Sequence, residues 1–240
     1  MHPHLFQFGR LVLPTYGFLV ALGTVASLLL LVRTARLLSL DTDKIWSVAL
    51  LAIVTALIGG NVFLFLFRWP RYGLGIALVQ VAIASLAGLA YADRLGLPIR
   101  RSADAFAPSL ALGSAVAAIG CLEAGCHYGT PTRVPWAVIF NDPAAAPGTP
   151  LGVPLHPTQL YTGLLQFLLC VFLLWLLPRP HNDGEILGAW LFLGGLSSSL
   201  LTFLRGDGVV ATQFIAAVMV LAGGLLWLHR QPAAQVSHGG

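Results

Sequence analysis

The sequence predicts an all-α integral membrane protein with seven transmembrane helices, its N-terminus outside the cytoplasm and its C-terminus inside. Of the 240 residues, 57% are hydrophobic and only 9% are charged, whereas about a quarter of the residues in soluble domains are charged. Too few charged side chains are present to cover a soluble surface. The same composition excludes an intrinsically disordered chain, which is polar and highly charged, and three cysteines exclude a disulfide scaffold.

Seven apolar runs are long enough to cross a bilayer, which takes about 20 residues per helix. They lie near 11–33, 45–67, 73–92, 106–123, 158–178, 185–204 and 209–228, and the fourth is the shortest. The first run has no small-residue cleavage pattern and leads into more membrane sequence, so no cleavable signal peptide is predicted. We expect a single domain over 1–230 and a disordered polar tail over 231–240.

The orientation follows from the distribution of lysine and arginine among the loops. With the N-terminus outside, the cytoplasmic segments carry eight basic residues and the opposite side carries five. The early loops, which usually dominate orientation, contribute most of the cytoplasmic excess. The basic residues are scattered between apolar runs with no stripe or cluster, so the net charge of +4 does not indicate a nucleic-acid partner.

The loop over 127–157 differs from the other connections. It holds seven of the fifteen prolines and also Trp136. Loops of this length are uncommon unless they are functional or disordered. Because proline stiffens the chain, we expect an extracytoplasmic lid or platform that rests at the membrane interface.

Polar clusters border four of the predicted spans, and polar side chains at membrane depth are costly and commonly functional. Tyr16 lies near the outer end of the first span, where a tyrosine also serves as an interfacial anchor. The segment 120–129 combines three glycines with Cys121, Glu123, Cys126 and His127. Glycine allows close backbone approach, which suits a site lined by peptide groups.

The two cysteines of this segment have more than one interpretation. Cys121 and Cys126 are five positions apart and His127 follows at once, which is not a usual zinc spacing, so no metal site is predicted. A disulfide between the two thiols remains open. Either thiol also suits a small buried hydrophobic position.

The other two clusters flank the later spans. His156 precedes Pro157 at the predicted start of the fifth span, where Pro157 suits the first helical turn. An imidazole there acts as a general base or as a helix cap, and the helix N-terminus favours an anion such as phosphate. Arg205 closes the sixth span and either grips a phosphate bidentately or pairs with Asp207 at the surface.

Together these clusters resemble the prolipoprotein diacylglyceryl transferase family over nearly the whole chain. Phe6-Gln7-Phe8-Gly9 with Tyr16-Gly17 is similar to the family's opening, and 113–129 is similar to its signature region in a cysteine-containing version. His156-Pro157-Thr158-Gln159-Leu160-Tyr161 and Phe203-Leu204-Arg205-Gly206-Asp207 match two further motifs. The resemblance implies seven transmembrane helices and transfer of a diacylglyceryl group from phosphatidylglycerol to the lipobox cysteine thiol of a prolipoprotein.

The chain also departs from the family pattern at several positions. Polar or charged family residues are replaced by Asn61, Ala118, Cys121, Cys126 and Thr202, and a histidine-containing loop is shortened around 68–75. Three interpretations therefore remain open: a divergent diacylglyceryl transferase, a related enzyme with another lipid donor or thiol acceptor, and a non-catalytic lipid-binding membrane protein.

The resemblance and the residue chemistry together give the expected site. Catalytic roles are expected for His156, Arg205, Tyr16 and His127. Substrate-binding roles are expected for Gln159, Tyr161, Gly120, Cys121, Cys126, Gly129 and Glu123. No cofactor is predicted. The expected partners are phosphatidylglycerol, a prolipoprotein thiol and the bilayer, and the expected location is the bacterial cytoplasmic (inner) membrane.

Overall fold

The computed structural model describes residues 4–8, 11–67, 74–207 and 209–228, and within them the chain is almost entirely helical. The seven helices are α1 (Thr15–Leu37), α2 (Thr42–Phe67), α3 (Leu74–Arg94), α4 (Ile99–Ala124), α5 (Thr158–Leu176), α6 (Glu185–Thr202) and α7 (Val209–Leu228). Six of them are long and apolar enough to cross a membrane, α3 being the exception. The prediction of an all-α integral membrane protein is confirmed. The predicted tail over 231–240 lies outside the described residues.

Two short antiparallel hairpins accompany the helices. One pairs β1 (His4–Phe8) with β2 (Leu11–Pro14), and the other pairs β3 (Val138–Ile139) with β4 (Pro154–Leu155). The predicted start of the first span at residue 11 is therefore wrong. Leu11–Pro14 is a strand, and the helix begins only after Pro14, whose φ of −70° and ψ of 132° are extended. Apolarity alone does not distinguish these strand residues from the helix that follows.

The fourth helix was predicted to be the shortest, and this is also wrong. α4 has 26 residues and begins at Ile99, directly after Pro98. Its first turns contain charged and hydroxyl side chains, which an apolar criterion excludes. Ser102 and Asp104 are nevertheless buried, because α4 packs against α1, α5 and α6 at the centre of the bundle. The boundaries of the five other runs agree with the structure to within three residues.

Small residues allow α4 to approach α1 closely. A Cβ added to Gly23 of α1 would lie 3.0 Å from Val116, and one added to Gly113 of α4 would lie 2.8 Å from the hydroxyl of Ser27. The Thr34 hydroxyl donates a hydrogen bond of 2.7 Å to the Ala105 carbonyl across this interface. Close packing and interhelical hydrogen bonds are the main attractions between helices in lipid. The α1–α4 pair thus forms a fixed frame for the residues at its outer end.

Asp104 joins α4 to the start of α6. Its side chain is fully buried and accepts backbone N–H groups from Gly184 at 2.6 Å and Leu187 at 2.8 Å. These N–H groups belong to the first turn of α6, which has no side-chain cap from its own N-cap residue. A carboxylate from another helix therefore supplies the acceptors that the α6 N-terminus needs.

We expect Asp104→Ala to lower the thermal unfolding temperature in detergent clearly. The substitution leaves two N–H groups of α6 without their acceptor, and an unsatisfied buried donor costs about 1–3 kcal/mol. Tryptophan fluorescence during heating measures the effect. Asp93→Ala is the matched control, because Asp93 is exposed at the end of α3. Equal unfolding temperatures for the two variants would contradict the capping role.

Candidate active site

Three backbone segments form a small ladder at one end of the bundle. Residues 128–132, which follow α4, run between 204–206, at the end of α6, and 154–156, at the start of α5. The backbone hydrogen bonds that hold them are Thr130 N to Leu204 O (2.8 Å), Gly206 N to Tyr128 O (3.0 Å), His156 N to Thr130 O (3.0 Å) and Thr132 N to Pro154 O (2.9 Å). The ladder brings three of the four predicted clusters together, although they are far apart in sequence.

Gly129 lies at the centre of the ladder, between His156 and Arg205. It forms a backbone bridge with Arg205. On its other side, a Cβ at this position would overlap the His156 carbonyl oxygen and lie 2.6 Å from the His156 Cβ. No side chain fits here, so glycine is required for the imidazole and the guanidinium to flank the same peptide unit.

The start of α5 holds the ladder from behind. The Gln159 amide donates to the Cys126 carbonyl at 2.7 Å, and the Thr158 hydroxyl donates to the His127 carbonyl at 2.7 Å. Gln159 is only 2% exposed, so its amide nitrogen binds backbone, although its sequence position indicated a substrate contact. Pro157 occupies the N-cap of α5, one residue before the helical turn predicted for it.

An indole, a phenol and an imidazole form a chain beside the ladder. The Trp136 Nε1–H donates to the Tyr161 hydroxyl oxygen at 2.7 Å, and that oxygen lies 3.4 Å from Nδ1 of His156. An indole only donates, so the Tyr161 O–H remains available to His156 Nδ1. A neutral His156 that accepts this bond carries its own proton on Nε2. Sequence reasoning did not assign Trp136 to the site; the single tryptophan of the proline-rich loop was the available signal.

Arg205 is paired as well as positioned. Its Nε and Nη2 atoms lie 3.1 and 2.9 Å from the same carboxylate oxygen of Asp207. The Arg205 side chain is 18% exposed and that of Asp207 is 30% exposed. The pairing expected from the sequence is therefore present, and it uses two of the five N–H donors of a guanidinium.

Tyr16 and Gly120 meet at the outer end of the α1–α4 interface. A Cβ at Gly120 would lie 3.2 Å from the Tyr16 ring. Tyr16 is in the first turn of α1 and its side chain is half exposed. Glu123, in the last turn of α4, is partly buried. The structure thus places the first predicted cluster beside the second.

The end of α4 brings Cys121 and Cys126 together. Gly125 adopts a left-handed φ of 78°, its N–H bonds to the Leu122 carbonyl, and the Cys126 N–H bonds to the Cys121 carbonyl. This pair of bonds is a Schellman motif, in which the side chains at the Cys121 and Cys126 positions commonly contact. On a continuous helix, side chains five positions apart would point about 140° apart. Gly125 was the sequence signal for this closure.

The three cysteines of the described residues are free thiols. Cys121 Sγ lies 3.6 Å from His127 Nδ1, and His127 itself has a left-handed φ of 56°. Hydrogen bonding with the Cys121 thiol, followed by interaction with His127, lowers the pKa of the Cys126 thiol below its ordinary value. Cys126 is therefore the more acidic thiol of the pair.

The proline-rich segment is folded rather than loose. The Ala146 N–H donates to the Ala124 carbonyl at 2.8 Å, and the Thr149 hydroxyl donates to the Gly125 carbonyl at 2.9 Å. Phe140, after β3, is buried at 3% exposure. This segment therefore satisfies carbonyls at the C-terminus of α4, which otherwise lack partners.

The replaced positions contact their own helices or the bundle. Asn61 donates to the Leu57 carbonyl one turn earlier, at 2.6 Å. Thr202 donates to the Ser198 carbonyl at 2.7 Å, and Ala118 is buried at 8% exposure. Residues 68–73, most of the shortened loop, lie outside the described ranges.

Comparison with known proteins agrees with the resemblance in the sequence. The family model described as prolipoprotein diacylglyceryl transferase matches residues 3–229. The phosphatidylglycerol–prolipoprotein diacylglyceryl transferase of Clostridium tetani is 29% identical over 93% of this chain and 95% of its own length. A second enzyme of that name from Clostridium perfringens is 27% identical over 88% of each chain. The enzyme from Synechococcus elongatus is 27% identical over 95% of this chain and 87% of its own length. With the match extending from the first hairpin to the end of α7, the chain belongs to the prolipoprotein diacylglyceryl transferase family.

Proposed function

We propose that this protein transfers a diacylglyceryl group from phosphatidylglycerol to the lipobox cysteine thiol of a prolipoprotein, with release of glycerol phosphate. The observation that carries the proposal is the placement of His156 and Arg205 on either side of Gly129. Relatives with this activity in their names cover nearly the whole chain. The arrangement gives a phosphate-binding cation and an imidazole at one end of a membrane-embedded bundle.

The proposed topology has seven spans within one domain over 1–230, the N-terminus outside and the C-terminus in the cytoplasm. α3 completes the count, since it has 21 residues and a mean character similar to the other spans. In this orientation the ladder and the 127–157 loop lie on the extracytoplasmic side of the bacterial cytoplasmic membrane. The proline-rich loop would then cover the lipid slot beside α4.

The reaction forms one carbon–sulfur bond and breaks one carbon–oxygen bond. The acceptor sulfur attacks the glycerol carbon that carries the phosphate ester, and the phosphate leaves with the bonding electron pair. A thiol with a pKa near 8.5 is only slightly ionised at neutral pH, so a base accelerates attack. The proposed roles are phosphate binding by Arg205 and the α5 N-terminus, and acceptance of the thiol proton by His127.

His156 is proposed to donate its Nε2 proton to a phosphate oxygen. The support is the Trp136–Tyr161–His156 chain, which favours a neutral imidazole with its proton on Nε2. Hydrogen-bond donors aimed at developing negative charge are among the largest contributions to catalysis. Tyr16 lies across the α1–α4 end from this donor and would orient the ester, while the glycines of 113–129 would admit the lipid.

A direct transfer assay tests the proposal. Purified protein in phosphatidylglycerol vesicles receives a lipobox peptide, and mass spectrometry detects the diacylglyceryl thioether. We expect product with phosphatidylglycerol and none with phosphatidylcholine alone. Folded protein that gives no product beside an active relative would contradict the proposal. A thioether formed only from another phospholipid would instead identify a different donor for the same chemistry.

Arg205→Lys is expected to reduce turnover by about 10²-fold in this assay. Lysine keeps the charge but loses the planar set of donors that binds phosphate on two atoms, and loss of one such donor costs about 10²–10³-fold. Arg179→Lys is the matched control, because Arg179 stacks on Trp175 at the opposite end of the bundle. Wild-type turnover in Arg205→Lys would remove Arg205 from the mechanism.

A further inference from the structure

The thiol cluster, defined as Cys121, Cys126 and His127, presents three metal-binding atoms at one point. The two sulfur atoms and an imidazole nitrogen all lie within 4.8 Å of one another. The separation of Cys121 Sγ and His127 Nδ1 is 3.6 Å. Each of the three residues is at least partly accessible at the outer end of α4.

These separations match the ligand spacing of a tetrahedral zinc ion. Zinc–sulfur and zinc–nitrogen bonds are about 2.3 and 2.0–2.1 Å long. Tetrahedral geometry then puts a sulfur and a nitrogen ligand about 3.5 Å apart and two sulfur ligands about 3.8 Å apart. The observed 3.6 Å between Cys121 Sγ and His127 Nδ1 equals the first of these within ordinary variation.

The backbone that carries the three ligands is itself held by hydrogen bonds. The Schellman closure at Gly125 fixes Cys126 against Cys121. Gln159 and Thr158 of α5 then bind the carbonyls of Cys126 and His127, at 2.7 Å each. Groups that orient metal ligands in this way raise metal affinity, because less order has to be created on binding.

We propose that Cys121, Cys126 and His127 form a binding site for a divalent cation of the zinc type. Thiolate and imidazole ligands select zinc and cadmium over magnesium and calcium, which prefer oxygen. Three protein ligands leave a fourth position open to water or another small ligand, as in zinc sites that are not purely structural. The proposal depends only on this cluster and stands independently of the transferase activity.

Cadmium titration tests the site without any activity measurement. Chelator-treated, reduced protein in detergent is titrated with CdCl2 under nitrogen, and the thiolate-to-cadmium charge-transfer band is followed in the ultraviolet. We expect a band that saturates at one ion per chain. It should be lost in both Cys121→Ser and Cys126→Ser, and His127→Ala should require more cadmium to reach saturation. Competition with zinc should remove the band.

Cys170→Ser is the matched control. Cys170 is buried within α5 and is 3% exposed, so this variant removes one thiol without touching the cluster. It should keep the full band, while circular dichroism and gel filtration confirm that every variant is folded. A wild-type band that forms only in large cadmium excess, or one that survives Cys121→Ser, would overturn the proposal.

The two ladder-side residues give a second measurement. Thr158→Val removes the hydroxyl that holds the His127 carbonyl but leaves all three ligands in place. Substitutions of residues that orient metal ligands weaken binding by about 10–100-fold. Cadmium affinity should fall by that factor with unchanged stoichiometry. An unchanged affinity in folded Thr158→Val would show that the cluster is not built to bind metal.

Discussion

Gly129→Ala is expected to abolish transfer activity and to lower the unfolding temperature. The new Cβ would overlap the carbonyl oxygen of His156 and approach its Cβ to 2.6 Å, so the strand 128–132 must move away from 154–156. A shift of about 1 Å in a catalytic group costs about 10²-fold in rate, and overpacking of this kind costs about 1–3 kcal/mol. Both the transfer assay and thermal unfolding in detergent measure the effect.

Gly224→Ala is the control for this substitution. An added Cβ at Gly224 of α7 meets no atom within 4 Å. Alanine also has a higher helix propensity than glycine, by about 1 kcal/mol. Activity should therefore stay at the wild-type level, and stability should be equal or slightly higher. Loss of transfer in both variants would mean that the effect is general and does not arise at the ladder.

The apolar pattern was sufficient to predict the helices but not their polar ends. Each transmembrane run exceeds the length needed to cross a bilayer, so its existence follows from composition. α4 was predicted too short because its first turns, with Asp104 and Ser102, are polar yet buried among other helices. Burial of this kind depends on tertiary packing, which a hydropathy pattern does not contain. Leu11–Pro14 failed for the opposite reason, since its apolar residues form a strand.

The site was predictable as a set of residues but not as a geometry. His156, Arg205 and Gly129 stand out by their type and position, and the structure joins them through one ladder. The convergence of Cys121, Cys126 and His127 was missed because spacing was compared with common zinc motifs. The left-handed turn at Gly125 changes which side chains meet. A glycine that ends a helix is a local signal, and its consequence for side chains on either side can be read from the Schellman pattern.

His156 is the residue for which the structure changes the predicted chemistry. The sequence suggested a general base, whereas the bond from Tyr161 favours Nδ1 as an acceptor and Nε2 as a donor. A donor and a base respond differently to substitution. Glutamine has an N–H group that can donate but no basic nitrogen, and alanine has neither.

His156→Ala is expected to reduce turnover by about 10²–10³-fold, the cost of removing one donor to a developing negative charge. His156→Gln should retain a clearly larger fraction of turnover than His156→Ala, because the amide can still donate to the phosphate. The ratio of the two variants in the transfer assay is the measurement, with thermal unfolding used to compare their stability. If glutamine and alanine reduce turnover equally in folded protein, His156 acts as the base and the donor role is wrong.

Tyr161→Phe separates the two roles further. Phenylalanine keeps the ring but loses the hydroxyl that links Trp136 to His156. If that hydroxyl fixes the protonated nitrogen of His156, turnover should fall in Tyr161→Phe while a His156→Gln background shows no additional loss, since the glutamine amide needs no tautomer. Equal losses from Tyr161→Phe in both backgrounds would assign the tyrosine to direct substrate contact instead. The non-additivity of the double variant is therefore what distinguishes a chain acting through the imidazole from two independent contacts.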